Sequence, residues 1–167
     1  ELKQSAQERK KTHELNQKRR RENERIKKDI ADHLAIPPEK VTRAQIEKYR
    51  FYKEIDGISL YTGKRFSLAD VLNGDTVDVE HIIPRTLRFD DSYHNKTLCE
   101  RNINQEKGNM TACDYMRSRG AQEYEAYLER VKAFYEKNGR EVRLKYKNLT
   151  TTQEDLLKDN EFLQRQL

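Results

Sequence analysis

Hydrophobic positions change spacing from one stretch of the chain to the next, and each spacing predicts an element. Up to about residue 35 nearly every residue is Lys, Arg, Glu, Gln or Asn, until Ile26, Ile30 and Leu34 recur at every fourth position. This predicts one long helix, solvated over its first half and docked through its last turns. Pro37-Pro38 stops it, because proline lacks a backbone donor and restricts the residue before it. Thr42-Arg-Ala-Gln45 has the form of a capping box, so a second helix is expected from about Arg43, with Ile46, Tyr49 and the stem of Lys53 turned inward. Ile58 and Leu60 alternate with Ser59 as in a short strand. Tyr61-Thr-Gly-Lys64 reads as a turn, and Ser67-Leu-Ala-Asp70 opens a helical turn that stops at Asn73-Gly74.

Val77 and Val79 then alternate with Asp78 and Glu80, which is a strand signature, and Pro84 closes the apolar run. Residues 84–95 form a loop rich in Asp, Ser and Asn. Lys96–Cys99 predicts a second strand, and Asn102–Lys107 a helix interrupted at Gly108. The resulting order is strand, loop, strand, helix. Thr111-Ala-Cys-Asp114 is a further cap-like signal. Tyr124, Leu128, Val131 and Tyr135, with Tyr127 and Phe134 beside them, mark one helical face that reads as core and not as a base-stacking platform; Gly139 ends it. From residue 150 three threonines lead to Leu156, Leu157, Phe162, Leu163 and Leu167, a linker entering a helix whose partner is expected elsewhere.

Composition narrows the picture. Of 167 residues 34% are hydrophobic and 38% charged, a thin supply of core, so part of the chain is expected to be extended or docked on another body. A net charge of +5 and a pI of about 9.1 permit polyanion binding without establishing it. Lys18-Arg-Arg-Arg21 reads more readily as a solvated helix face than as a phosphate contact. Cys99 and Cys113 form no C-x-x-C pair and are expected to be reduced thiols of a cytoplasmic protein. No apolar run reaches the roughly 18 residues of a membrane-spanning helix, and no signal peptide is visible, so no membrane partner is expected. The chain opens at Glu1 in mid-helix composition and is expected to be one monomeric piece of a larger protein.

The chemistry concentrates between residues 77 and 109. Glu80 and His81 are adjacent at a strand end, Asn95 lies in Asp90-Asp-Ser-Tyr-His-Asn-Lys-Thr-Leu98, and Asn104 in Asn102-Ile-Asn-Gln-Glu-Lys-Gly-Asn109. A carboxylate, an imidazole and two amides can hold one hard cation beside one general base, the minimum equipment for metal-assisted phosphodiester hydrolysis. Magnesium prefers oxygen ligands, which Glu80 and Asn104 would supply. An unperturbed histidine titrates at about 6.5, so His81 is the candidate base, oriented through its second ring nitrogen. Asn95 would fix the loop and, through it, the imidazole. Lys107, three residues past Asn104, would add positive charge near the phosphate. Plainer alternatives stand beside these roles: a Glu-His pair at a strand end is often structural, and Asn95 can simply turn the loop. Asp90 and Asp91 shape the loop or serve as reserve ligands, and His13, His33 and His94 are surface residues.

Taken together, Val79-Glu-His-Ile-Ile-Pro84, Asp90-Asp-Ser92, Asn95-Lys-Thr-Leu98 and Asn104-Gln-Glu-Lys-Gly-Asn109 resemble the HNH nucleases. More narrowly, they resemble the HNH domain of the type II CRISPR effectors (the Cas-nine family), particularly the compact type II-C branch. The resemblance implies an α+β fold, mainly α: a ββα-metal core with two short antiparallel strands, surrounded by helices and preceded by a long N-terminal helix. It implies that residues 1–40 are a helical linker from a RuvC-like domain, 41–145 the nuclease domain and 146–167 the linker returning. By position, His81 matches the general base, Glu80 and Asn104 the metal-binding pair, Asn95 the central asparagine and Lys107 a basic position near the scissile phosphate. The implied cofactor is Mg²⁺, for which Mn²⁺ can substitute. The implied partners are the target DNA strand within a guide RNA–DNA heteroduplex and the remainder of the effector. The implied reaction is one-metal-ion cleavage of the guide-paired strand, leaving 3′-hydroxyl and 5′-phosphate ends. Glu80 stands where the family usually has aspartate, and the added methylene moves its oxygens outward by about 1.5 Å. A free-standing homing or restriction nuclease would need its own DNA-reading module, and none is visible. A basic, non-catalytic nucleic-acid-binding module would bind in a salt-sensitive way with no role for a cation.

Overall fold

The computed structural model describes residues 5–166; residues 1–4 and Leu167, the outermost positions of the two expected linkers, lie outside the described residues. The chain divides into two units after Tyr49. In the first, α1 (Ala6–Leu34) begins with a capping box. The Ser5 hydroxyl accepts from the Glu8 amide at 3.1 Å, while the Glu8 carboxylate accepts from the Ser5 amide at 3.0 Å. Lys18–Arg21 is exposed, and burial sets in at Ile30 and Ala31. The helix ends on Ala35, in the left-handed conformation at φ 55°, ahead of the two prolines. A single 3₁₀ turn, Pro38–Lys40, leads to the second helix. Thr42 and Gln45 cap it reciprocally, at 3.1 and 3.0 Å, as their spacing predicts. This helix, α2 (Arg43–Glu54), carries Tyr49, whose hydroxyl donates to Asp29 at 3.3 Å. Lys53 is exposed, against expectation. Phe51, Glu54 and Ile55 turn inward instead, because they fall on the helical face that continues into the second core.

The second unit holds α3 (Leu68–Asn73), then β1 (Val77–His81) and β2 (Lys96–Glu100). These strands pair antiparallel with Val77 opposite Glu100 and His81 opposite Lys96. α4 (Arg101–Lys107) leaves β2 without a gap and stops at Gly108, whose φ of 53° suits glycine. The predicted order of strand, loop, strand and helix is therefore present, within an α+β fold that is mainly helical. The helices α5 (Ala112–Ser118), α6 (Ala121–Asn138), α7 (Arg143–Leu149) and α8 (Gln153–Gln166) complete the chain. Thr111 caps α5 by accepting from Asp114 N–H.

One buried cluster joins the sheet to α6: Tyr61, Val77 and Leu98 pack with Tyr127, Val131 and Phe134. The helical stripe read from the sequence is thus core, and full burial of a side chain such as Leu98 contributes about 1.5–3 kcal/mol. Residues 58–60 do not form a strand, since a single bridge joins Ile58 to Arg65. Polar side chains hold this segment. Ser59 and Thr62 donate to the two Glu100 oxygens at 2.6 and 2.5 Å, and the Arg130 guanidinium donates to the carbonyls of Leu60 and Tyr61, both at 2.8 Å. In α8, Leu156 is buried, whereas Leu157, Phe162 and Leu163 are exposed. Among the described residues no helix is long and apolar enough to cross a membrane.

Candidate active site

The loop from 84 to 95 is shaped from below by Asn95, which is wholly buried. Its Oδ1 accepts from the Ile83 amide, and its Nδ2 donates to the carbonyls of Ile83 and Asp90, each at 2.9 Å. The Ile82 amide donates to the Asn95 carbonyl at 2.8 Å. The two ends of the loop are therefore closed on one side chain whose hydrogen-bonding capacity is almost fully used. His81 immediately precedes this closure.

His81 is partly exposed, and its Nε2 lies 2.8 Å from Oδ1 of Asp91. An ionised carboxylate only accepts, so Nε2 carries the proton and Nδ1 is left with the free lone pair. The same Asp91 oxygen faces Arg85 Nη2 at 3.3 Å and Lys96 Nζ at 3.6 Å. The His81 hydrogen bond, followed by the charge of Lys96, holds the Asp91 carboxyl below the usual carboxylate range. Asp91, read from the sequence as loop-shaping, is thus the partner that orients the imidazole. Its signal was its place in the loop directly after the histidine strand, but Asp90 shares that signal. Asp90 instead accepts from the Ser92 amide at 3.0 Å.

Glu80 turns inward. One oxygen accepts from the Tyr61 hydroxyl, and Oε2 stands 3.1 Å from Nζ of Lys107 with no hydrogen bond aligned on it. Both members of the ion pair are almost fully buried. Burial raises the Glu80 carboxyl above the usual range, opposed by the Lys107 ammonium and the Tyr61 hydroxyl. Lys107 also donates to the His81 carbonyl at 2.9 Å. The ammonium expected at the phosphate thus braces the β1 backbone from inside. The carboxylate beside Asn104 is Asp78: its Oδ2 lies 3.4 Å from Asn104 Nδ2, and Arg101 donates to its other oxygen at 2.9 and 3.1 Å. The sequence placed Tyr61 in a turn and Asp78 in a strand, and gave neither a chemical role. Asp78 could have been found because it shares a strand face with Glu80.

Among the described residues no three His, Cys, Asp or Glu side chains cluster as a metal cage. The hard oxygen donors here are the Asp78 carboxylate and the Asn104 amide, with the buried Glu80 Oε2 held 3.1 Å from the Lys107 ammonium. Oxygen donors of this kind suit a hard divalent cation, which takes one or two protein carboxylates and fills its shell with water and phosphate. Cys99 and Cys113 are buried and free.

The loop is also tied to α7. The Lys145 ammonium, fully buried, sits 2.7 Å from Glu54 and 3.7 Å from the Tyr93 ring centroid, and Tyr93 donates to the same Glu54. Burial pushes the Lys145 amine down to about 8, against the pull of Glu54. Asn148 donates to the His94 carbonyl at 2.9 Å and accepts from Arg88 at 2.6 Å. His94, expected at the surface, is only partly exposed, and its Nδ1 is buried without a partner.

Two strands, a loop closed by an asparagine and a helix behind a carboxylate–histidine pair define the class. Residues 59–113 match the HNH endonuclease family, and the chain carries an HNH endonuclease domain. That domain is of the kind found in the CRISPR-associated endonuclease Cas9. The chain is 34% identical to Cas9 of Staphylococcus aureus over 87 residues, which are 51% of this chain and 8% of that protein. It is 36% identical to Cas9 of Campylobacter jejuni over 72 residues, 43% and 7% of the two chains. It is 32% identical to a Cas9 of Streptococcus thermophilus over 124 residues, 72% and 11%. The chain therefore spans only about a tenth of these curated relatives. A solved structure of S. thermophilus Cas9 in complex with the GGAA PAM superposes with a TM-score of 0.70 at 26% identity, covering 90% of this chain and 15% of that one. The type II-C Cas9 of Actinomyces naeslundii shares the fold, with a TM-score of 0.68 at 19% identity over 90% of this chain and 16% of that one.

Proposed function

We propose that the chain is the HNH domain of a type II CRISPR effector and cuts the DNA strand paired to the guide RNA. The observation that supports this reading best is the commitment of His81 Nε2 to Asp91, which leaves Nδ1 as the acceptor. In the proposed reaction Nδ1 takes the proton of the attacking water, and Asp91 stabilises the imidazolium that results. Asn95 holds the loop, and thereby the ring, in place. Lys107 supports the strand beneath both Glu80 and His81. Glu80 and Asn104 would hold a divalent cation, Mg²⁺ or Mn²⁺, with Asp78 as a further carboxylate. When bound, such an ion supplies charge neutralisation at the phosphoryl group and the leaving oxygen. Residues 1–40 and 146–167 would connect the domain to a RuvC-like domain in a bacterial cytoplasm.

The reading is tested with His81→Ala in the full-length protein, loaded with guide and assayed on strand-labelled target. Cleavage of the guide-paired strand should be lost while target binding survives; cutting at the wild-type rate would remove His81 as the base. Mn²⁺ titration of the chain, followed by NMR, should broaden resonances first around Glu80, Asn104 and Asp78. Broadening confined elsewhere would refute the ligand set.

A further inference from the structure

We propose that Phe89, backed by Arg85, is a stacking platform for one nucleotide of the strand delivered to His81. This deepens the nuclease reading and rests on it.

Phe89 is 78% exposed, more than any other large hydrophobic side chain among the described residues. A lone exposed apolar residue needs no explanation. The placement of this one does. Its loop is not slack: Asn95 ties down the carbonyls on both sides, at Ile83 and Asp90, so the ring is presented from a closed backbone. The Arg85 guanidinium carbon lies 5.6 Å from the ring centroid, within cation–π range. The same guanidinium reaches Asp91 Oδ1 at 3.3 Å, the oxygen that holds His81. Ring, guanidinium, carboxylate and imidazole thus form one connected line, running from an exposed π-face to the candidate base.

The chemistry suits a nucleic acid. Bases present π-faces to aromatic side chains irrespective of sequence, and guanidinium groups stack on bases or meet phosphates. Around Phe89 the loop carries two cations, Arg85 and Arg88, with Lys96 following at the start of β2, against Asp90 and Asp91. Asp91 is already shared among His81, Arg85 and Lys96. A strand whose base rests on Phe89 would have its backbone beside these cations and close to Nδ1 of His81. An acidic or apolar protein partner would gain nothing from adjacency to the imidazole, whereas a scissile strand requires it.

The chain contains no tryptophan, so Phe89→Trp installs a single indole reporter at the platform. The probes are a short DNA strand alone and the same strand annealed to RNA. Binding should quench the indole emission, with affinity close to wild type. Phe89→Ala should weaken binding roughly tenfold without changing its salt dependence, because no phosphate contact is lost. Arg85→Gln should weaken binding and also reduce the salt slope. An indole unquenched at saturation, or unchanged affinity in Phe89→Ala, overturns the platform while leaving the His81 assignment standing. A wild-type chain that binds neither probe overturns it too; if His81→Ala also still cuts, the nuclease reading falls with it. If sedimentation shows a wild-type dimer that Phe89→Ala dissociates, the ring is a protein contact and the proposal is wrong.

Discussion

Nε2 of His81 and Oδ1 of Asp91 stand 2.8 Å apart, so a strand-end imidazole is held by a carboxylate ten residues further along the loop. The contact fixes both the ring plane and the tautomer. Asp91→Ala should therefore lower the rate of strand cleavage by about 10–100-fold with little effect on target binding, a loss that reaches only the foot of the roughly 10²–10⁴-fold that a general base contributes, because the imidazole itself remains. Asp91→Asn keeps an acceptor oxygen at the same place and should lose less. Single-turnover rates for the two variants check this; equal losses, or none, would show that the carboxylate does not orient the ring.

Asn95 is wholly buried and makes three side-chain hydrogen bonds, two to the buried Ile83 backbone and one to the carbonyl of half-buried Asp90. Asn95→Ala would strand the Ile83 amide and carbonyl in the interior and deprive the half-buried Asp90 carbonyl of its donor. A stability loss of about 2–5 kcal/mol is expected, from the cost of burying unpaired polar groups. Urea denaturation measures it. Hydrogen exchange at Ile83 should accelerate more than exchange at core positions such as Leu98.

The Lys145–Glu54 pair gives stability a pH dependence with a definite sign. Burial holds the folded Lys145 amine at about 8, below its ordinary 10.5, so the folded state binds fewer protons than the unfolded state between those values. The contribution of this lysine to stability should therefore rise as pH increases through that window. At neutral pH, Lys145→Met leaves Glu54 as a buried charge and should cost about 3–5 kcal/mol, most of which Lys145→Met with Glu54→Gln should recover. The test compares denaturation of the wild-type and doubly substituted chains at about pH 7 and pH 9. Wild type should gain on the double variant at the higher pH, and a constant difference would contradict the assignment.

Local pattern carried most of the fold. Alternation at Val77 and Val79, the Thr42–Gln45 box, the Thr111 cap and the α6 stripe each depend on neighbours within a turn or a strand, where spacing along the chain is spacing in space. The Ser5–Glu8 box follows the same local rule. The strand expected at residues 58–60 failed because alternation alone does not supply a partner. That segment is held by Glu100 and Arg130, far along the chain.

For the site, the sequence by itself determined which residue types gather between 77 and 109, and hence the chemistry available: an imidazole, carboxylates, amides and a lysine in the order of an HNH domain. Only the tertiary structure decided which of them meet. It set Asp91 and not Asp90 against His81, Asp78 within reach of Asn104, and Lys107 under Glu80 in the interior. Composition cannot choose between adjacent aspartates or alternate strand positions. Strand register, the turn closed by Asn95 and the balance between desolvation and charge pairing make that choice, and all three depend on contacts between distant parts of the chain.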